Sequence, residues 1–164
     1  VQNLAIGNHR VTWNGTVLGH TAAGSNLTIE KIFRDITVDA TGQTVRRRKQ
    51  VGEKVSAELS LKEPTIANVG RVTPGSTVTA SSVTDGGQYA GAVELYDLSY
   101  PMIFHPLDRQ DSDTSRDWTL FKAYPVIAGP IPMKHDEDMV LPVNVMTFPD
   151  DSRPIGQQIW KYGT

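Results

Sequence analysis

The sequence predicts a mainly-β domain: a β-sandwich or barrel with one short helix and a long β-hairpin arm. Three observations predict it. Apolar and polar residues alternate with a period of two along most of the chain. Turn signals recur about every ten residues. Only one stretch carries helix start and stop signals. The 164 residues are enough for one domain with a real core, and no internal repeat or boundary divides residues 1–164.

Each element follows in order. Val11-Thr12-Trp13 and Thr16-Val17-Leu18 flank Asn14-Gly15, a pair that tolerates positive φ and marks a tight hairpin. Residues 26–38 form a long β segment in which Leu27, Ile29 and Phe33 share a parity. A turn is expected at Asp39-Ala40-Thr41-Gly42. Residues 43–52 are polar and basic; residues 53–61 alternate again, with Val55, Ala57, Leu59 and Leu61 on one side. A long arm therefore runs out, turns near Gly42 and returns, and its tip is poor in core-forming residues.

Residues 63–70 are the helix candidate. Pro64 suits its first turn and Gly70 its C-terminal cap, and Ile66 and Val69 are spaced to face the core together. Residues 73–91, rich in Thr, Ser and Gly and containing Gly86-Gly87, read as an exposed loop or ragged edge strand. Residues 92–104 read as a strand that Pro101 ends or kinks, and residues 105–117 as a polar, acidic loop. Residues 118–124 resume a strand. Pro125, Pro130 and Pro132 restrict residues 125–133 to edge or bulge positions. A charged turn at 134–138, an alternating strand at 139–148 and a short C-terminal segment around Ile159-Trp160 complete the chain.

Composition excludes several functions. There are no cysteines, so a disulfide scaffold, a thiolate zinc site and a cysteine nucleophile are ruled out. No apolar run approaches the roughly 18 residues of a membrane helix. Val1-Gln2-Asn3-Leu4 shows no signal-peptide pattern, which predicts synthesis in a cytoplasm and no membrane partner. No Gly-x-Ser-x-Gly elbow or phosphate-binding loop occurs. His9, His20, His105 and His135 are scattered without ligand spacing. His135 to Asp138 reads better as a solvated turn than as a cation site, because adjacent strand residues point to opposite faces, and Asp108, Asp111, Asp113 and Asp117 lack the glycine and terminal glutamate of a calcium loop. The expectation is no catalytic residue, no metal and no cofactor.

Charge is unevenly distributed. Residues 1–82 hold 10 Lys/Arg and 6 Asp/Glu; residues 83–164 hold 6 and 12. Opposite surfaces on identical copies would favour head-to-tail contacts, which build rings or filaments. If the two halves interleave in one sheet, the asymmetry cancels in space. Arg46-Arg47-Arg48-Lys49 is the sharpest cluster. Three readings are open for it: a nucleic-acid contact, which lacks an aromatic for base stacking; a protein contact; and a solubilising flank that discourages edge pairing. The protein-contact reading joins Thr41, Gly42, Gln43 and the four cations as arm contacts. Asp108, Asp111, Asp113, Asp136, Glu137 and Asp138 are the matching acidic partner or lumen surface.

The order of these features resembles the tail tube proteins of long-tailed phages. Residues 7–19 look like their opening hairpin, 36–44 like their long arm with its turn, and 59–64 like the strand leading into their single helix. Residues 118–123 and 141–145 look like their closing strands. The resemblance implies homohexameric rings that stack into a tube, with inner strands joined around a lumen and the long arm touching the neighbouring ring. It further implies tape-measure, terminator and distal tail proteins as partners, DNA passing transiently without specific binding, and a place in the virion tail after assembly in the host cytoplasm. The alternative is a monomeric β-sandwich module for carbohydrate or another ligand, with Trp13, Trp118 and Trp160 as a stacking platform.

Overall fold

A computed structural model describes residues 8–37, 44–85, 93–133 and 139–164, with backbone only at Ala22 and Ala23. The strands are β1 His9–Trp13, β2 Thr16–Val17, β3 Thr21–Thr37, β4 Val45–Leu61, β5 Thr77–Val78, β6 Val83–Thr84, β7 Tyr100–Pro106, β8 Trp118–Ile127, β9 Leu141–Phe148 and β10 Trp160–Tyr162; the helix α1 is Ile66–Arg71. One antiparallel sheet runs β2-β1-β7-β8-β9-β4-β3, with β10 on β8, and β5-β6 form a separate two-stranded ribbon. The mainly-β class with a single short helix is as predicted. Strands of the basic first half stand at both margins and strands of the acidic second half in the middle, so the halves share one sheet but occupy separate blocks of it.

The opening turn follows from its two residues. Asn14 and Gly15 have φ of 48° and 71°, the pair of positive values a two-residue hairpin turn needs, and Trp13 pairs with Thr16 across it. The core is built by parity. Val55, Ala57, Leu59 and Leu61 of β4 are buried with Val143 and Val145 of β9, Met102 and Phe104 of β7, Leu120 of β8 and Val11 of β1. Each such aliphatic contributes roughly 1.5–3 kcal/mol on burial. Trp13 lies beneath them. Its Nε1 donates to the Ala123 carbonyl at 2.7 Å, and its ring meets Tyr100 and Tyr124 edge-on, at centroid distances of 5.7 and 5.2 Å.

Pro125 is buried in a long strand, at a place where its missing N–H costs nothing. β8 pairs with β7 only up to Ala123 and with β9 from Lys122 to Ile127, so beyond Ala123 its other side is an edge.

The structure corrects three local expectations. The helix starts at Ile66, two residues after Pro64: Thr65 is the cap, its side chain accepting from the Asn68 N–H, and Val72 rather than Gly70 ends the helix. Gly70 lies inside the helix because a Cβ there would collide with Val78 of β5. Ile66 and Val69 do not face the core together. Val69 packs on it while Ile66 is exposed, and Asn68 takes the buried position. Asn68 is satisfied there, donating to the Glu63 carbonyl and accepting from Arg71. Finally, the strand expected over 92–104 begins at Tyr100 with Pro101 in its first turn of pairing, and it extends through His105 and Pro106; residues 95–98 form a turn. His105 is buried, and its Nδ1 donates to buried Asp117 at 2.7 Å, which ties the 107–117 loop to β7. Among the described residues, no helix is long and apolar enough to cross a membrane.

Candidate assembly surface on the arm

β3 and β4 are each 17 residues long and pair along their whole described length. Only the base of this ladder belongs to the core. β9 covers β4 from Ser56 to Leu61 and no farther. From Lys31 to Asp35 and from Thr44 to Val51 every side chain is exposed. Among the described residues no strand pairs with the outer edge of β3, or with the edge of β4 away from β3 between Val45 and Val55. Leu27 and Ile29 pack against the core, whereas Phe33, of the same parity, is 53% exposed because it lies past the core's end.

The register sorts the arm's charges onto two faces. Leu27 opposite Ala57 and Ile29 opposite Val55 define the core-facing side. The same side carries Lys31 opposite Glu53, Phe33 opposite Gln50 and Asp35 opposite Arg48. A bulge between Ile32 and Phe33 leaves Val51 unpaired in register and advances β4 by one residue. The other side therefore carries Ile32 opposite Gly52, Arg34 opposite Lys49 and Ile36 opposite Arg47. A second irregularity after Ile36 leaves Arg46 without a register partner.

The two faces differ in charge balance. On the core-facing side, the Arg48 guanidinium grips Asp35 with two hydrogen bonds of 2.6 and 3.0 Å. That bond from Arg48 holds the Asp35 carboxyl below the usual carboxylate range. On the other side, Arg34, Arg47 and Lys49 have no carboxylate within ion-pair distance among the described residues, and neither has Arg46. Like charges directly opposite on paired strands are destabilising. The four-cation run is thus not one patch. Arg48 is neutralised on one face; Arg47 and Lys49 join Arg34 on the other. Arg34 was missed in the sequence because its place beside Lys49 depends on the bulge.

The Asp35–Arg48 pair gives a pH expectation. A carboxyl whose folded pKa is depressed adds stability above its unfolded pKa and loses it as pH falls through the folded value. The protection of the Asp35 and Arg48 amides, their exchange rate relative to an unfolded chain at the same pH, is expected to stay constant from pH 7 to about pH 4 and to fall only in more acidic solution. In Arg48→Ala the protection should be lower at pH 7 and lose that acid step.

The acidic residues expected to oppose the arm are differently disposed. Asp111 pairs with Arg10 at 2.9 Å. Asp113 accepts from Ser115 and lies 3.5 Å from Arg109, contacts that lower its pKa, the Ser115 side chain first. Asp108 is exposed and unpaired. Thr41, Gly42, Gln43, Asp136, Glu137 and Asp138, the turn at 39–42, His135 and Gly86-Gly87 lie outside the described residues. The three tryptophans do not share a surface. Trp13 is buried with Tyr100 and Tyr124, while Trp118 packs on Trp160 and Tyr162, with centroids at 5.2 and 4.8 Å. The Trp160 Nε1 donates to Glu53 at the base of the arm, so this second group anchors the arm.

No protein-family model matches the chain, and no curated protein matches it significantly.

Proposed function

We propose that this chain is a non-catalytic structural subunit that works by assembling with copies of itself, as the tail-tube protein of a phage or phage-like particle. One observation carries the reading: a long arm stands clear of its own core and, among the described residues, has both edges unpaired and one basic face uncompensated. In a monomer such an arm is a liability, an open template for accidental pairing that buries nothing. In a ring or stack, the same edges and charges meet partners on neighbouring copies. The order of motifs that resembles tail tube proteins extends this to stacked hexameric rings around a lumen. There DNA passes without specific contacts, and tape-measure, terminator and distal tail proteins bound the tube in the virion tail.

Negative-stain electron microscopy of the concentrated chain tests the proposal. Rings or tubes are expected, at higher yield in low salt, because screening shortens the reach of the arm's charges from about 10 Å at 0.1 M to about 3 Å at 1 M. A field of separate globules in every buffer would count against it.

A further inference from the structure

The assembly reading leaves open what the arm's basic face meets, and the following inference rests on that reading. The face is chemically specific. It presents three cations, Arg34, Arg47 and Lys49, interleaved with the aliphatic side chains of Ile32 and Ile36. A matching surface would offer about as many carboxylates not already in an ion pair, among exposed aliphatics. The 107–117 loop does not, because Asp111 and Asp113 are engaged locally.

A second acidic surface does, and distant parts of the sequence build it. Residues 95–98 form a turn, with Leu95 and Tyr96 half-buried, held against the end of β9. The Tyr96 hydroxyl donates to Asp151 at 3.0 Å, and its ring meets Phe148 edge-on at 6.0 Å. The Lys122 ammonium lies 3.4 Å above the Tyr96 ring, so that cation is occupied. Arg153 is likewise occupied, lying over Phe121 and bonded to Asp150. Glu94, which accepts from the Tyr96 N–H, Asp97 and Asp151 are exposed and, among the described residues, have no ion pair. Val93 and Leu98, which flank Glu94 and Asp97 in the same segment, are also exposed.

We infer that the basic face of the arm docks on the Glu94–Asp97–Asp151 surface of a second copy of this chain. Three cations meet three carboxylates, and Ile32 and Ile36 cover aliphatic side chains that one copy leaves in water. The two surfaces are different parts of the same molecule, so the contact is heterologous and propagates from copy to copy. Protein fits this face better than nucleic acid, because the one aromatic of the arm among the described residues, Phe33, projects from the opposite side and cannot stack on bases.

A charge swap tests the inference. One variant carries Arg34→Glu and Lys49→Glu; the other carries Glu94→Lys and Asp97→Lys. All four positions are exposed, and thermal unfolding checks that both variants fold. Each variant alone is expected to need at least about tenfold more protein than wild type to associate in sedimentation velocity. A 1:1 mixture should recover wild-type association, since each reversed arm then meets a reversed acceptor. If wild type associates while the Glu94/Asp97 variant matches it, or the mixture stays dissociated, this inference is overturned and the assembly reading stands. If wild type never associates, both fall. An arm variant that associates normally but has lost binding to duplex DNA would overturn the inference and assign the face to nucleic acid.

Discussion

Serine at Arg34, Arg47 and Lys49 together is expected to abolish association of the chain while leaving its thermal midpoint within about 2 °C of wild type. The reasoning follows from the register. These side chains are exposed, touch no carboxylate among the described residues and share one face of the ladder, with Arg34 directly opposite Lys49. Substitutions at such positions usually change stability by less than about 0.5 kcal/mol. Removing the Arg34–Lys49 opposition should, if anything, relax the arm. Whatever these cations contribute, they contribute in the assembled state. Arg48→Ser is the informative control: it lies in the same four-cation run but is already neutralised by Asp35. It should leave association largely intact. Equal loss from Arg48→Ser and the triple variant would mean that net charge matters and the face does not.

The second large effect is on folding. Trp13→Ala is expected to cost roughly 3–5 kcal/mol, the range for deleting a buried large aromatic side chain. Its ring fills the space between Tyr100 and Tyr124, and its N–H satisfies the Ala123 carbonyl. For a domain of this size the midpoint should fall by roughly 6–20 °C. Trp13→Phe keeps most of the ring and loses the hydrogen bond, so about 1 kcal/mol is expected from that loss. Thermal unfolding followed by circular dichroism distinguishes the two. A Trp13→Ala midpoint within 2 °C of wild type would contradict the placement of this ring.

Much of the fold is legible in the sequence, because it is set by local parity. Val55, Ala57, Leu59 and Leu61 alternate and are buried together. Asn14-Gly15 reads as a tight turn and is one. The helix was placed to within a residue or two, but its buried face was not. Ile66 has the right spacing for the core, yet the short helix instead buries Asn68 to tie its own ends through Glu63 and Arg71. That choice depends on partners outside the helix.

The candidate site was half legible. Arg46 to Lys49 is visible as a run, but its division between faces is not. A bulge of one residue at Val51 reverses which members face Arg34, since a one-residue slip carries every later side chain to the opposite side. Without that bulge Arg48, not Lys49, would share the face of Arg34. The acceptor surface was hidden for a different reason. Tyr96 and Asp151 are 55 residues apart, and only the packing of the 95–98 turn on the end of β9 brings them together. The acidic loop, prominent in the sequence, proves to have its own cations: Arg10 for Asp111 and Arg109 for Asp113.

The central claim is that unpaired strand edges and an uncompensated basic face find their complements on identical chains. Sedimentation velocity of the wild-type chain, across a wide range of protein and salt concentrations, addresses it most directly. The expected result is a set of species at multiples of 18.0 kDa that grows with protein concentration and recedes as salt rises. A single 18.0 kDa species throughout, unchanged when preformed aggregates are added as seeds, would contradict the account.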